Sequence, residues 1–180
     1  MNLKKGILYI ILGYIFVFIN LYMNFSGIMI DLLPNFIGWI FLLLAYNKLG
    51  YYVKDKKYLH FFPLIFLFIG LICDILIFFF FDFYASIIAL IFGLISLKYW
   101  NNIFNVISTI VDDKKIGKVN SIKTIKKLNI AICIVSILIS VVDLFIPLLY
   151  TKYVVFVIGL IIAIITVTVL FKLLNEVKRN

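Results

Sequence analysis

The chain has 180 residues, 66% of them hydrophobic and only 14% charged, with a mean hydropathy of +1.21. Soluble domains run roughly 45–50% apolar and about 25% charged, so a soluble globular domain is excluded; at roughly 20 residues per bilayer-spanning helix the composition suffices for about six spans and no separate soluble domain. The net charge of +9 would point to nucleic acid on a soluble protein, but here membrane orientation accounts for it and no nucleic-acid partner is expected.

Six apolar stretches bounded by charge or turn residues predict spanning helices over residues 6–23, 32–49, 59–81, 83–100, 128–150 and 153–174. The start, Lys4-Lys5 before an apolar run, has the form of a signal peptide; the run is long and no A-x-A-like site follows, so it reads as a retained first helix. In the second stretch, Asn24-Phe25-Ser26-Gly27 is a turn signal. Asp31 is expected to cap the helix that follows, with Pro34 in its first turn, where a missing N–H costs no intrahelical bond.

Orientation follows from the loop lysines. With both termini on one side, that side receives sixteen of the seventeen basic residues, Lys4 to Arg179, and the other receives only Lys152. The expected fold class is therefore all-α: a polytopic six-helix membrane protein, N-in and C-in, in the bacterial cytoplasmic membrane. Sixteen Lys to one Arg, with abundant Ile, Phe, Asn and Tyr, follow AT-rich codons and suggest a bacterial gene of low GC content. The eight acidic residues divide evenly, with Asp55, Asp112, Asp113 and Glu176 inside and Asp31, Asp74, Asp82 and Asp143 in the outer half, which leaves the inner face basic and the outer half acidic.

The one sizeable connection, residues 101–127, carries Ile103, Phe104, Ile107, Ile110 and Val111 at helical spacing. After Asp112-Asp113-Lys114-Lys115, Lys residues stand opposite Val119, Ile122 and Ile125. It reads as an amphipathic element lying on the cytoplasmic leaflet, held by anionic lipid at about 1 kcal/mol per nearby Lys, or else as a docking site for a protein partner.

Membrane helices pack through small residues, which marks Gly13, Gly38, Gly70, Gly93, Gly159 and Ala163 for helix contacts. Polar residues on the same stripes, Asp31, Asn35, Asp74, Ser136, Ser140 and Asp143, should line the bundle interior. Asp74 and Asp143 sit about 12 Å inside the outer edge of a hydrocarbon core roughly 30 Å thick. No Lys or Arg lies at matching depth. Either the helices are displaced and these carboxylates sit among headgroups, or they converge on a cation or a polar solute entering from outside, as ionisable residues at depth often do.

Catalytic chemistry is thin. The single His60 stands at a helix start beside Pro63, Cys73 and Cys133 lie in apolar runs as small hydrophobes, and no zinc, Ser-His or phosphate-loop motif is present. Neither enzymatic activity, a metal nor a cofactor is expected.

The segment Ile30-Asp31-Leu32-Leu33-Pro34-Asn35-Phe36-Ile37-Gly38-Trp39 resembles an I-D-x-L-P-[DN]-F-I-G-[YW] signature of small multi-span membrane proteins of low-GC Gram-positive bacteria. Asn35 stands where Asp is expected to be commoner. The resemblance covers about ten residues and implies a membrane protein with a meaningful Asp31–Pro34 helix start; it brings no activity. From the residues, the expected function is transport or capture of a small solute or cation through an acidic outward-facing interior. The alternative is a non-transporting subunit serving assembly, immunity or regulation. Expected partners are the bilayer, anionic lipid at the cytoplasmic face, and a membrane-protein partner or a second copy of the chain.

Overall fold

The computed structural model describes residues 3–18, 22–25, 28–31, 35–49, 60–69, 82–116, 119–143 and 149–179. Among them the regular structure is six helices and one short hairpin. In chain order these are α1 (Leu3–Phe18), β1 (Tyr22–Phe25), β2 (Ile28–Asp31) and α2 (Asn35–Leu49), then α3 (His60–Ile69), α4 (Asp82–Lys114), α5 (Val119–Asp143) and α6 (Leu149–Arg179). The fold is helical, as the composition demands.

The first two expected spans are shortened by the hairpin. Tyr22 and Met23, expected in the first helix, pair with Asp31 and Ile30 across an antiparallel ladder that closes at Phe25 opposite Ile28. β-prone Tyr, Phe and Ile flank Ser26-Gly27, a dipeptide of turn chemistry, and this local signal outweighs the apolar run. Asp31 consequently does not cap a helix: it ends β2, and α2 begins at Asn35, directly after Pro34.

The connection at 101–127 is also corrected. It is not a separate element on the leaflet: α4 runs unbroken for 33 residues, and α5 starts at Val119. The two pack as an antiparallel pair. The apolar positions that suggested an interfacial helix find protein instead, since Ile103, Phe104, Ile107, Ile110, Val111, Ile122 and Ile125 are all buried. The turn begins with a Schellman motif. Ile116 N donates to Val111 O at 3.0 Å and Lys115 N to Asp112 O at 3.1 Å, Lys115 takes φ of 52°, and Ile116 and Val111, the apolar pair of such a motif, are both buried.

Six near-equal spans are not what the described helices display. Among the described residues, one stretch, Tyr153–Val177 in α6, is long and apolar enough to cross a bilayer, while α2 and α3 are shorter apolar helices. Apolar and polar lengths are fused within single helices, so the expected span boundaries do not coincide with helix ends.

Packing runs from α2 to α1, from α1 to α6, from α6 to α5 and from α5 to α4. Aromatic rings close the arrangement. Trp100 of α4 meets Tyr14 (5.2 Å between centroids) and Phe18 (5.0 Å) of α1. Trp39 of α2 stacks on Phe66 of α3 (4.3 Å) and meets Tyr99 of α4 edge-on (5.6 Å). The tightest crossing is between α1 and α2. A methyl on Gly13 would lie 2.6 Å from Leu42 Cγ and 3.0 Å from Gly38 O, and one on Gly38 would lie 2.9 Å from Gly13 O. Only residues without a side chain allow that approach.

Candidate functional site

Three buried polar side chains of the described bundle form a connected network. Asn129 of α5, 1% exposed, and Thr166 of α6, fully buried, meet Tyr14 of α1. The Tyr14 hydroxyl donates to Asn129 Oδ1. The Asn129 amide nitrogen donates to Ile125 O and to Thr166 Oγ1, each at 2.8 Å, and the Thr166 hydroxyl donates to Ile162 O at 2.8 Å. The donors of all three side chains are used within the protein, which is the condition for a buried network to stabilise. It ties three helices together, with interhelical bonds in membranes worth about 0.6 kcal/mol each on average.

Beside it lies a centre whose polar atoms are not all matched. The Tyr99 hydroxyl and Trp100 Nε1 are buried and find no hydrogen-bond partner among the described residues. Tyr99 borders a cavity of about 20 Å³ between α1, α2 and α4, room for a single water molecule. Around it the walls are Ile10, Ala45, Leu49 and Ile103.

The expected site residues do not assemble into one described site. Asp31 has its backbone in the hairpin opposite Tyr22. Asn35, with its amide turned to suit its neighbours, donates to Phe16 O (3.1 Å) and Val17 O (3.2 Å), so it serves the carbonyl end of α1, which has no intrahelical partners of its own. Ser136 lies half-buried on α5 and has a partner. Ser140 lies on α5 and Asp143 is the last residue of that helix; their side chains, like Asp74 and Gly70 entirely, lie outside the described residues. Gly93 is on α4. Ala163 is buried. Among the described residues Gly159 has only Ile132 near it, at 3.8 Å, which leaves room there for a methyl group. His60 is exposed and meets the Tyr46 ring edge-on at 5.2 Å. No group of three or more His, Cys, Asp or Glu capable of holding a metal occurs among the described residues.

Sequence reasoning passed over Tyr14, Asn129 and Tyr99. Asn129 carried a legible signal: it is the one amide in an otherwise apolar run, seven residues before Ser136 on the same face. Tyr14 and Tyr99 carried none, because eleven tyrosines scattered through the chain give no way to select two of them.

No protein-family model, curated protein or solved structure matches this chain.

Proposed function

We propose that the chain is a multi-pass protein of the bacterial cytoplasmic membrane, with both termini and the α4–α5 turn inside, and that its acidic outer half captures a small solute or cation. The observation that carries the membrane placement is a change of solvent along α5 and α6. From Leu128 onward α5 exposes Ile134, Val135 and Leu138, and α6 exposes Phe156, Ile161 and Ile164. Before Leu128 the exposed residues of α5 are Asn120, Lys123, Thr124 and Lys127. A water-facing surface does not carry so continuous an aliphatic belt, and basic residues at its inner edge accord with the positive-inside rule.

Capture from outside, rather than conduction, fits the close packing of rings among the described residues. The rings of Tyr14, Trp39, Phe66, Tyr99 and Trp100 pack against one another between α1, α2, α3 and α4. The same close packing favours the second reading, a non-transporting subunit of a larger membrane assembly. Purified protein separates the two. Thermal stabilisation by Na⁺, Ca²⁺ or a solute, lost in the Asp74→Asn/Asp143→Asn double variant, is the expected result. Full retention in that variant overturns capture by these carboxylates, and obligate co-purification with another chain selects the second reading. Topology is checked on the chain with Cys73 and Cys133 replaced by Ala. A single cysteine at Lys152 should react with an impermeant maleimide in intact cells and one at Lys115 should not.

A further inference from the structure

The α4–α5 pair holds a second polar feature, separate from the buried network. A groove of about 410 Å³ opens between the C-terminal part of α4 and the first turns of α5. Buried Phe104 closes its base, Asn105 and Ser108 line the α4 wall, and Lys123, Lys126 and Lys127 line the α5 wall. Lysines three and four residues apart share one helix face. Among the described residues no carboxylate lines the groove, and no Asp or Glu occurs on α5 before Asp143, so three like charges share one space without a carboxylate in its walls. One is already positioned: Lys126 Nζ donates to Asn105 Oδ1 at 2.6 Å. Immediately after Lys127, exposed Leu128 begins the aliphatic belt.

A polar, cationic recess at the inner edge of an apolar belt has the chemistry of a phosphate-binding site: lysine ammoniums as charge, Asn and Ser side chains as further donors. We infer that this groove binds a phosphate-bearing anion through Lys123, Lys126 and Lys127, and that the phosphate is the headgroup of an anionic lipid of the inner leaflet. The lipid source rests on the membrane placement proposed above; the site itself rests on the groove. It differs from a general attraction of basic loops to the leaflet, because Lys4, Lys5 and Lys172 are equally exposed basic residues that do not line it.

The test is the melting temperature of the full chain in mixed micelles containing phosphatidylglycerol, phosphatidylcholine, or phosphatidylcholine with inorganic phosphate. Wild type should be stabilised by phosphatidylglycerol over phosphatidylcholine. The variant Lys123→Gln/Lys126→Gln/Lys127→Gln should lose roughly 100-fold in apparent affinity for phosphatidylglycerol, and Lys4→Gln/Lys5→Gln/Lys172→Gln should keep most of it. Gln is as good a helix former as Lys, and equal melting in phosphatidylcholine alone establishes that the fold is intact. Asn105→Glu, which puts a carboxylate into the groove from the α4 side, should act like the first triple variant. Stabilisation by inorganic phosphate equal to that by phosphatidylglycerol supports the site with a soluble source. Equal losses in both triple variants, or no response of wild type to either anion, overturns it. Extraction of the chain without detergent would instead refute the membrane placement, whichever way the groove responds.

Discussion

Two regions of the same helices expose surfaces of opposite character. In the α4–α5 turn region, residues 101–127, the apolar side chains are inside and Asn105, Thr109, Asp112, Asp113, Lys123 and Lys127 are outside. Beyond Leu128 the pattern inverts: α5 and α6 bury the polar Asn129 and Thr166 and turn Leu138 (59% exposed), Ile161 (53%) and Ile164 (56%) outward. Inside-out polarity along one continuous helix says that burial, not helix formation, records the solvent. On the membrane placement proposed above, the turn region is a small water-facing bundle and the belt region faces hydrocarbon, where packing depends on close approach and hydrogen bonds rather than on removing apolar area from water.

Truncating equivalent aliphatic residues in the two regions gives the widest contrast. Ile107→Ala empties a fully packed position in the turn region and should cost about 2–5 kcal/mol. Leu138→Ala, facing the belt's surroundings, should stay within about 0.5 kcal/mol of wild type. Denaturant unfolding of both variants in the same micelle reads the difference directly. Similar losses would mean that Leu138 is covered, by a partner chain or a second copy, and would break the assignment of the belt to lipid.

A smaller effect sharpens the packing side of the comparison. Gly13→Ala forces a methyl against Leu42 Cγ at 2.6 Å and the Gly38 carbonyl at 3.0 Å, so α1 and α2 must separate; overpacking of this kind costs about 1–3 kcal/mol. Gly159→Ala meets nothing nearer than Ile132 at 3.8 Å and gains helix propensity of up to about 1 kcal/mol. Unfolding measurements should therefore give opposite signs for one substitution on two small-residue stripes that sequence alone treats as equals.

That equality marks how far the sequence could be read. The helical class and the polar character of residues 101–127 were legible, because composition and a 3.6-residue period follow directly from solvent and helix geometry. Helix boundaries were not. Tyr22 and Met23 continue the apolar run of α1, and although the turn signal after them is legible, only their pairing with Asp31 and Ile30 shows that it takes them out of the helix. The apolar face of residues 101–127 was seen but given to lipid; periodicity identifies a face and is silent about what covers it. Small residues have the same limitation. Gly13 and Gly38 touch while Gly159 does not, and the difference depends on which helix lies opposite. The candidate site was the least legible. Asn129 and Thr166 lie 37 residues apart and Tyr14 a further 115 away from Asn129, and nothing in a single sequence links such positions. The acidic outer residues, by contrast, stood out because charge in an apolar run is visible without knowing any contact.

The smallest expected effect concerns the turn that lets α4 and α5 fold back. Lys115 occupies the left-handed region at φ of 52°, a conformation that costs an L-residue about 1–2 kcal/mol and glycine almost nothing. Lys115→Gly relieves that cost but makes the unfolded chain more flexible by about 0.4–1 kcal/mol. The net gain should be of the order of 0.5 kcal/mol, visible as a small rise in melting temperature. Lys115 also neighbours Lys114 and Lys118, so removing a charge alone could relieve repulsion. Lys115→Ala separates the two causes, since it removes the charge but keeps the Cβ that makes the left-handed region costly. A gain for glycine and none for alanine assigns the strain to the backbone of a turn that closes a water-exposed hairpin. Equal gains assign it to crowding of lysines at the tip, and an effect in either variant that disappears at high salt would do the same, because screening weakens exposed charges and leaves φ untouched.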